Sequence, residues 1–211
     1  MGIPVLILGE SGSGKSTSLR NFEPNELVIY NVAGKPLPFR KGAKMNRADN
    51  ATYSVIRQNM GRKRFKRYVI DDSQYLLCFE LFDRSAETGY TKFTEMANHF
   101  YSLIKFVIKE MPADTIVYFL HHIEQQDGKV KAKTIGKMLD EKLTVEGLFS
   151  IVLMAINKDG EHLFLTQSDG TNTVKTPLEM FEKEEIDNDL KLVDTTIRKY
   201  YEIEVNNNES I

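Results

Sequence analysis

The stretch Gly9-Glu10-Ser11-Gly12-Ser13-Gly14-Lys15-Ser16-Thr17 directly follows the short apolar run Ile3-Pro4-Val5-Leu6-Ile7-Leu8. Its spacing is G-x-x-x-x-G-K-[ST], the pattern of a loop whose backbone N–H groups surround phosphates. The apolar run predicts a buried strand, and residues 15–21 predict a helix. A loop between a strand and a helix is the setting in which this pattern binds phosphate, which favours that interpretation over a chance turn rich in glycine and serine.

The residues of this loop have distinct predicted roles. Lys15 can reach the β- and γ-phosphates and is the first candidate catalytic residue, and Ser16 can ligate Mg²⁺. We therefore predict that residues 9–17 bind a nucleoside triphosphate together with Mg²⁺.

Composition sets limits on the class of protein. The chain has 211 residues, 41% hydrophobic and 27% charged, which is typical of a soluble globular protein with one main domain. No apolar run approaches the roughly 18 residues that a membrane helix needs, so we expect no membrane partner and no signal peptide. Cys78 is the only cysteine, which excludes intramolecular disulfides and favours a reducing, cytoplasmic setting.

The charge is distributed unevenly along the chain. The net charge is −2, but residues 35–67 contain eleven lysines and arginines and a single acid, Asp49. An asymmetry of this kind indicates an anionic partner at one face of the protein.

Hydrophobic patterns predict an α/β fold. Residues 115–120 are apolar without alternation, as in parallel sheets covered on both faces, and residues 92–110 have helical spacing. The turn Asn157-Lys158-Asp159-Gly160 predicts a hairpin between strands 151–156 and 162–166. Further helices are predicted at 137–148 and 188–200, and a polar loop at 124–136.

These elements together predict a mainly parallel sheet flanked by helices, with an antiparallel hairpin added late in the chain. We assign residues 1–180 to the ATP-binding core and residues 181–211 to a C-terminal helix and a frayed tail.

Two acids follow the apolar strand at residues 68–70. Ligands of open α/β sheets bind at the carboxyl ends of strands, so Asp71 is a candidate Mg²⁺ ligand and Asp72 a candidate for orienting a water. The alternative for Asp72 is a cap on the next helix. No glutamate follows Asp72. Residues 27–31 predict a second strand, and Ala33 after it supplies no carboxylate, so the catalytic base stays open.

His121 and His122 end the strand after the long helix. Neighbouring residues on a strand point to opposite faces, so one histidine can face the γ-phosphate and sense the bound nucleotide. We include both as candidate catalytic residues; the alternative is that they are structural.

Two groups of basic residues are candidate DNA contacts. Lys129, Lys131 and Lys133 alternate in the polar loop. Arg57, Arg62, Lys63, Arg64 and Lys66 lie near Tyr53 and Phe65, which offer rings for stacking on single strands. For the lysines of the polar loop, a second interpretation is that one of them reaches the nucleotide of a neighbouring subunit. A further alternative for both groups is a solvated surface.

The chain resembles the RecA-like P-loop ATPases, and more closely the small phage-encoded members of that group that act as single-strand annealing or recombination proteins. The resemblance covers about residues 1–180. It rests on residues 9–17, 31–38 and 69–72, on His121-His122-Ile123-Glu124, on Lys133-Thr134-Ile135-Gly136-Lys137 and on the hairpin.

The resemblance implies an ATP site at a subunit boundary, self-assembly into a ring or filament, and single-stranded DNA held by loops such as 124–136. A single-strand binding protein or a helicase is a further candidate partner. RecA-like proteins usually carry a glutamate at the end of the second strand; this chain has Ala33, which favours slow hydrolysis.

We therefore interpret the chain as an Mg²⁺-dependent ATPase that binds single-stranded DNA and promotes annealing or strand exchange. One alternative is an accessory ATPase of DNA processing, such as a helicase loader. Another is a small-molecule kinase, although the arginines at 57–67 come early for a lid. No [N/T]KxD motif indicates a GTPase.

Overall fold

Within residues 1–203, which the computed structural model describes (with the backbone alone at residue 140), nine strands belong to one sheet. The strands are β1 (Ile3–Gly9), β2 (Val28–Asn31), β3 (Arg47–Asp49), β4 (Arg67–Asp71), β5 (Ile116–Gln126), β6 (Lys129–Ala132), β7 (Ile151–Lys158), β8 (Glu161–Leu165) and β9 (Glu185–Asp187). The α-helices are α1 (Tyr53–Gly61), α2 (Gln74–Asp83), α3 (Thr91–Glu110) and α4 (Leu190–Tyr200).

The strand order is β3-β2-β4-β5-β1-β7-β8-β9, and β6 pairs with the outer part of β5. The strands from β3 to β7 in this order are parallel, whereas β8 and β9 are antiparallel to their neighbours. This arrangement confirms the predicted fold class, a mainly parallel α/β sheet with a late hairpin. Because β5 alone separates β1 from β4, the carboxyl ends of these three strands meet at one edge of the sheet.

Both faces of the sheet are covered. Leu6 and Leu8 of β1 pack on the side of α3, and Val5 and Ile7 pack on the side of α4. All four side chains are fully buried. Burial on both faces explains why β1 and β5 are apolar without alternation, and it gives the loop after β1 a rigid base.

The predicted loop 124–136 is wrong, because this segment is mostly a hairpin. Strand β5 continues to Gln126 and pairs with β6 through the two-residue turn Asp127-Gly128. Both turn residues have positive φ, 50° and 76°, which matches the twist of a tight hairpin. The Asp-Gly pair is the sequence signal that could have predicted the turn.

Two predicted helices differ from the structure. Residues 15–21 form a short 3-10 helix, Ser16–Asn21, in which the Ser18 hydroxyl donates to Lys15 O at 2.6 Å and competes with regular α-helical bonding. Residues 137–148 divide into a π-helical turn, Met138–Lys142, and a 3-10 turn, Val145–Leu148.

The division of residues 137–148 into two turns is explained by contacts of the Glu146 side chain. Its carboxylate accepts hydrogen bonds from Ala132 N at 2.7 Å and from the Thr173 hydroxyl at 3.1 Å. These contacts fix the segment to β6, and Leu143 and Thr144 between the two turns are extended.

The C-terminal part adds to the same sheet. Strand β9 pairs with β8, and Val193 and Ile197 of α4 are fully buried against the core, as the predicted helix at 188–200 requires. The boundary at residue 180 stays a prediction, and the predicted frayed tail at 206–210 lies outside the described residues. Over residues 1–203, none of the helices combines the length and the apolar character that crossing a bilayer demands.

Candidate active site

The loop between β1 and the first 3-10 helix is shaped by its glycines. Gly14 has a φ of 97°, a conformation that side chains rarely adopt. A Cβ at Gly14 would lie 3.1 Å from His162 Nδ1 and 3.2 Å from the amide atoms of Asn188. Conformation and crowding both require glycine here, because the loop lies against β8 and the turn before α4.

Lys15 lies at the centre of this loop. Its Nζ donates to Gly9 O and to Glu10 O, both at 2.8 Å. Burial lowers the pKa of Lys15 to about 8, although the carboxylates of Asp72 and Asp71 act in the opposite direction. A phosphate oxygen would replace the carbonyl partners and supply the negative charge that this buried ammonium favours.

Ser16 and Asp71 meet across the site. Ser16 Oγ donates to Asp71 Oδ1 at 2.8 Å. Burial, and then the nearby charge of Asp72, raise the pKa of Asp71 to about 6, while the bond from Ser16 opposes the shift. A hydroxyl and a carboxylate side by side are the ligand types that Mg²⁺ takes beside nucleotide phosphates, so this pair fits the predicted metal.

Asp72 adopts a left-handed conformation, with φ of 60°, immediately after β4. One carboxylate oxygen lies 2.7 Å from Lys35 Nζ, and the other lies 3.1 Å from His122 Nε2. Burial alone would raise the pKa of Asp72, but hydrogen bonds from His122 and Lys35 lower it to about 2. The side chain faces the site and does not cap α2, which begins after Ser73 without a side-chain cap.

These groups surround a cavity of about 240 Å³. Its walls carry the cations Lys15 and Lys35 and the carboxylates Asp71 and Asp72. Loop residues 10–12 and 14–17 complete one side. A cavity that combines two cations with a metal-binding pair suits a polyphosphate carrying Mg²⁺.

The two histidines occupy different environments, as the alternation predicts. His122 lies beside Gly9 in the sheet register, lines the cavity and contacts Tyr75 edge-on, with ring centroids 5.5 Å apart. His121 is fully buried and contacts Phe100 instead. Only His122 faces the cavity in this structure, so the predicted catalytic role of His121 can only be indirect.

His121 connects the site to the hairpin. Its Nε2 lies 2.8 Å from Lys133 O, and because a carbonyl only accepts, Nε2 carries the proton. Its Nδ1 lies 2.9 Å from Ser73 Oγ, whose one proton is shared between this nitrogen and Leu120 O at 3.1 Å. Burial lowers the pKa of His121 to about 4, so the ring is neutral at pH 7.

The hairpin that carries the candidate lysines extends β5 beyond His122, at the end of the strand where the site lies. Lys129 and Lys133 are exposed, whereas Lys131 is half-buried and pairs with Glu124 at 3.6 Å. Lys133 N also donates to His122 O at 2.9 Å. Lys133 therefore lies beside His122, which lines the cavity, whereas Lys129 pairs with Gln126 at the turn end of the hairpin.

The predicted DNA contacts next to β4 lie at the opposite edge of the sheet from the cavity, where this strand begins. Arg62, Lys63 and Arg64 are exposed just before β4, and the strand rises by roughly 13 Å between its first residue, Arg67, and its last, Asp71. The predicted stacking rings, Tyr53 and Phe65, pack against the core.

Ion pairs with acids from elsewhere reduce the charge of the basic segment 35–67. Such acids contact Lys35, Lys41, Lys66 and Arg67. Arg57, also exposed, lies over the Phe106 ring, 5.2 Å from its centroid.

Sequence patterns assign no role to several residues of the site. Lys35 lies within the stretch that supports the resemblance, but only the structure places its ammonium against Asp72. His162 Nδ1 donates to Ser13 O at 3.1 Å, and Arg20 donates to Asn188 O. Contacts between residues so far apart in the chain leave no local pattern.

An α/β sheet with this loop and with Ser16 opposite Asp71 has the architecture of a P-loop nucleotide-binding protein. A scan against protein-family models finds no match, and neither does a search of curated proteins. Among solved structures, the chain is similar to the X-ray structure of the Legionella pneumophila ATPase DotB, with a TM-score of 0.40 and 11% identity. The match covers 95% of this chain and 53% of DotB, so the chain spans about half the length of that protein.

Proposed function

We propose that this protein is an Mg²⁺-dependent ATPase that binds single-stranded DNA and promotes annealing or strand exchange. The observation that carries the nucleotide part is the Ser16–Asp71 hydrogen bond of 2.8 Å beside the buried ammonium of Lys15. Lys15 binds the β- and γ-phosphates, and Ser16 and Asp71 hold Mg²⁺, which neutralises charge on the phosphate oxygens.

Asp72 and His122 are the proposed groups for orienting the attacking water. Both line the cavity, and the hydrogen bond from His122 fixes one carboxylate oxygen of Asp72. No glutamate ends β2, so we expect turnover to be slow. This expectation agrees with a role in which the bound nucleotide acts mainly as a switch.

The DNA part of the proposal is supported by the hairpin. Lys129 and Lys133 present exposed ammonium groups, and phosphate contacts of this kind give sequence-independent affinity. His121 Nε2 donates to the backbone of Lys133, and Ser73, which bonds His121, follows Asp72 in the chain. Asp72 is therefore connected to the hairpin by its peptide bond to Ser73 and by the two hydrogen bonds of His121.

Fluorescence anisotropy of a labelled oligo-dT tests this function. The protein is titrated with ATP and Mg²⁺, with ADP and Mg²⁺, and without nucleotide. We expect tight binding only with ATP, together with self-association into a ring or filament that light scattering detects. Absence of oligo-dT binding under all three conditions would reject the DNA part, and release of phosphate from ATP, measured separately, would still test the ATPase part.

A further inference from the structure

The turn after β2 places Lys35 at the cavity that Lys15, Asp71 and Asp72 line. Asn31, the last residue of β2, is buried, and its Nδ2 donates to Lys35 O and to Asp49 Oδ1, both at 2.7 Å. Gly34, with φ of 66°, makes the turn, and its N–H donates to Asn31 O at 3.3 Å. The backbone of Lys35 is therefore fixed, and Pro36 stiffens the segment that follows.

The side chain of Lys35 is less constrained than its backbone. Its Nζ lies 2.7 Å from Asp72 Oδ2 and 5.5 Å from the centroid of the Tyr75 ring, while the side chain is 61% exposed. An ion pair with one exposed partner is weak and exchanges readily. A doubly charged phosphate group that entered the cavity would compete strongly for the same ammonium.

Lys35 also lies close to the other charged groups of the site. Its charge contributes to the lowered pKa of Lys15 and opposes the raised pKa of Asp71. Lys15 is held inside the loop by Gly9 O and Glu10 O, whereas Lys35 lies on the side of Asp72. The two ammonium groups therefore approach the cavity from different directions.

We propose that Lys35 is the residue by which this site distinguishes a nucleoside triphosphate from a diphosphate, by leaving Asp72 to bind the terminal phosphate. This inference rests on the proposed nucleotide binding and on nothing in the DNA part. A diphosphate satisfies Lys15 and leaves the Lys35–Asp72 pair intact. A triphosphate breaks that pair, so Asp72 loses the ion pair with Lys35 only when the terminal phosphate is bound.

Competition binding with a fluorescent ADP in Mg²⁺ tests the proposal on three proteins: the wild type, Lys35→Ala and Lys41→Ala. Lys41 is the matched control, since it is exposed and pairs with Glu23 away from the cavity. The displacing ligands are ADP and a non-hydrolysable ATP analogue. Lys35→Ala is expected to weaken the triphosphate analogue by about tenfold, as loss of one charged contact does, and to leave ADP within about twofold. Lys41→Ala should match the wild type for both ligands.

A second variant guards against misfolding. Lys35→Gln removes the charge but keeps an amide that can donate to Asp72, and thermal melting confirms that each variant is folded. If the folded variants keep the wild-type ratio of triphosphate to diphosphate affinity, the inference is overturned while nucleotide binding stands. If the wild type binds neither ligand, the proposed function fails as well.

Discussion

Ser16 Oγ donates a hydrogen bond of 2.8 Å to Asp71 Oδ1, although the two residues are 55 positions apart. The contact joins the phosphate loop after β1 to the end of β4, and β5 is the strand that separates them. It aligns two ligand groups before any metal arrives. Burial disfavours the charged carboxylate of Asp71. A cation bound there would offset this cost, because its charge neutralises that of the carboxylate.

The first prediction concerns Asp71→Asn. The amide keeps the size of the side chain and an oxygen that accepts from Ser16, but it removes the charge that binds Mg²⁺. We expect the gain in ATP affinity that Mg²⁺ provides to fall by about tenfold or more. The melting temperature of the nucleotide-free protein should be maintained or raised, because a buried charge is removed. Calorimetric titrations with and without Mg²⁺ measure the first effect, and an undiminished gain would contradict the assignment.

The second prediction concerns the shape of the loop. Gly14→Ala combines a φ of 97° with contacts near 3.2 Å to Asn188. We expect a destabilisation of about 1–3 kcal/mol and a loss of nucleotide affinity. Gly61→Ala is the control, since Gly61 ends α1 and a Cβ there meets no atom within 4 Å. The control should be neutral or slightly stabilising in urea unfolding, and equal effects of the two substitutions would rule out the strain at Gly14.

The third prediction concerns the pH dependence of stability. Burial lowers the pKa of His121 to about 4 from 6.5, so the unfolded chain binds the proton more readily. The contribution of His121 is therefore fully present above pH 6.5 and decreases as the pH falls towards 4, by about 3 kcal/mol in all. Asp71, with its raised pKa, contributes in the opposite direction between pH 3.8 and about 6.

Comparison with His121→Gln isolates this contribution, because the effect of Asp71 is present in both proteins. Urea unfolding between pH 4 and 7.5 should show a smaller decrease in the free energy of unfolding for His121→Gln than for the wild type. His99→Gln is a second comparison: the His99 side chain is 53% exposed and its Nδ1 lies 2.8 Å from Glu80 Oε1, so this substitution removes a surface contact and should keep the decrease that His121 causes. Identical pH profiles for wild type and His121→Gln would show that His121 is not buried in its neutral form.

The fourth prediction separates the two basic surfaces. We expect Lys129→Ser/Lys133→Ser to reduce the slope of log K against log salt for oligo-dT binding by up to about 1.4, from two phosphate contacts. Neutralising Arg62, Lys63 and Arg64 tests the opposite edge of the sheet. If only that variant changes the slope, single-stranded DNA contacts the edge of the sheet where β4 begins and does not contact the hairpin.

The sequence predicted the parts of the molecule that depend on local pattern. The phosphate loop, the apolar strands and the 157–160 turn each lie within a few consecutive residues, where spacing and turn chemistry act directly. The fold class followed from these elements. The tight turn at Asp127 and Gly128 had the same kind of local signal but was interpreted as part of a loop.

The remaining features depend on which strands are neighbours. Lys35 reaches Asp72 because β2 pairs with β4, and His162 reaches the loop because β7 and β8 lie on the other side of β1. The separation of the two basic surfaces likewise follows from strand direction, since residues 62–64 precede β4 and the hairpin extends β5. No composition or spacing in a single sequence encodes these long-range contacts.

The most direct measurement is a calorimetric titration of ATP into the wild-type protein and into Lys15→Ala, each with and without Mg²⁺. The wild type should bind ATP, and bind it more tightly with Mg²⁺, because Lys15 holds the phosphates and Ser16 and Asp71 hold the metal. Lys15→Ala should show no measurable binding while remaining folded. Equal affinity of the two proteins, or no binding by the wild type, would contradict the assignment of this cavity as a nucleotide site.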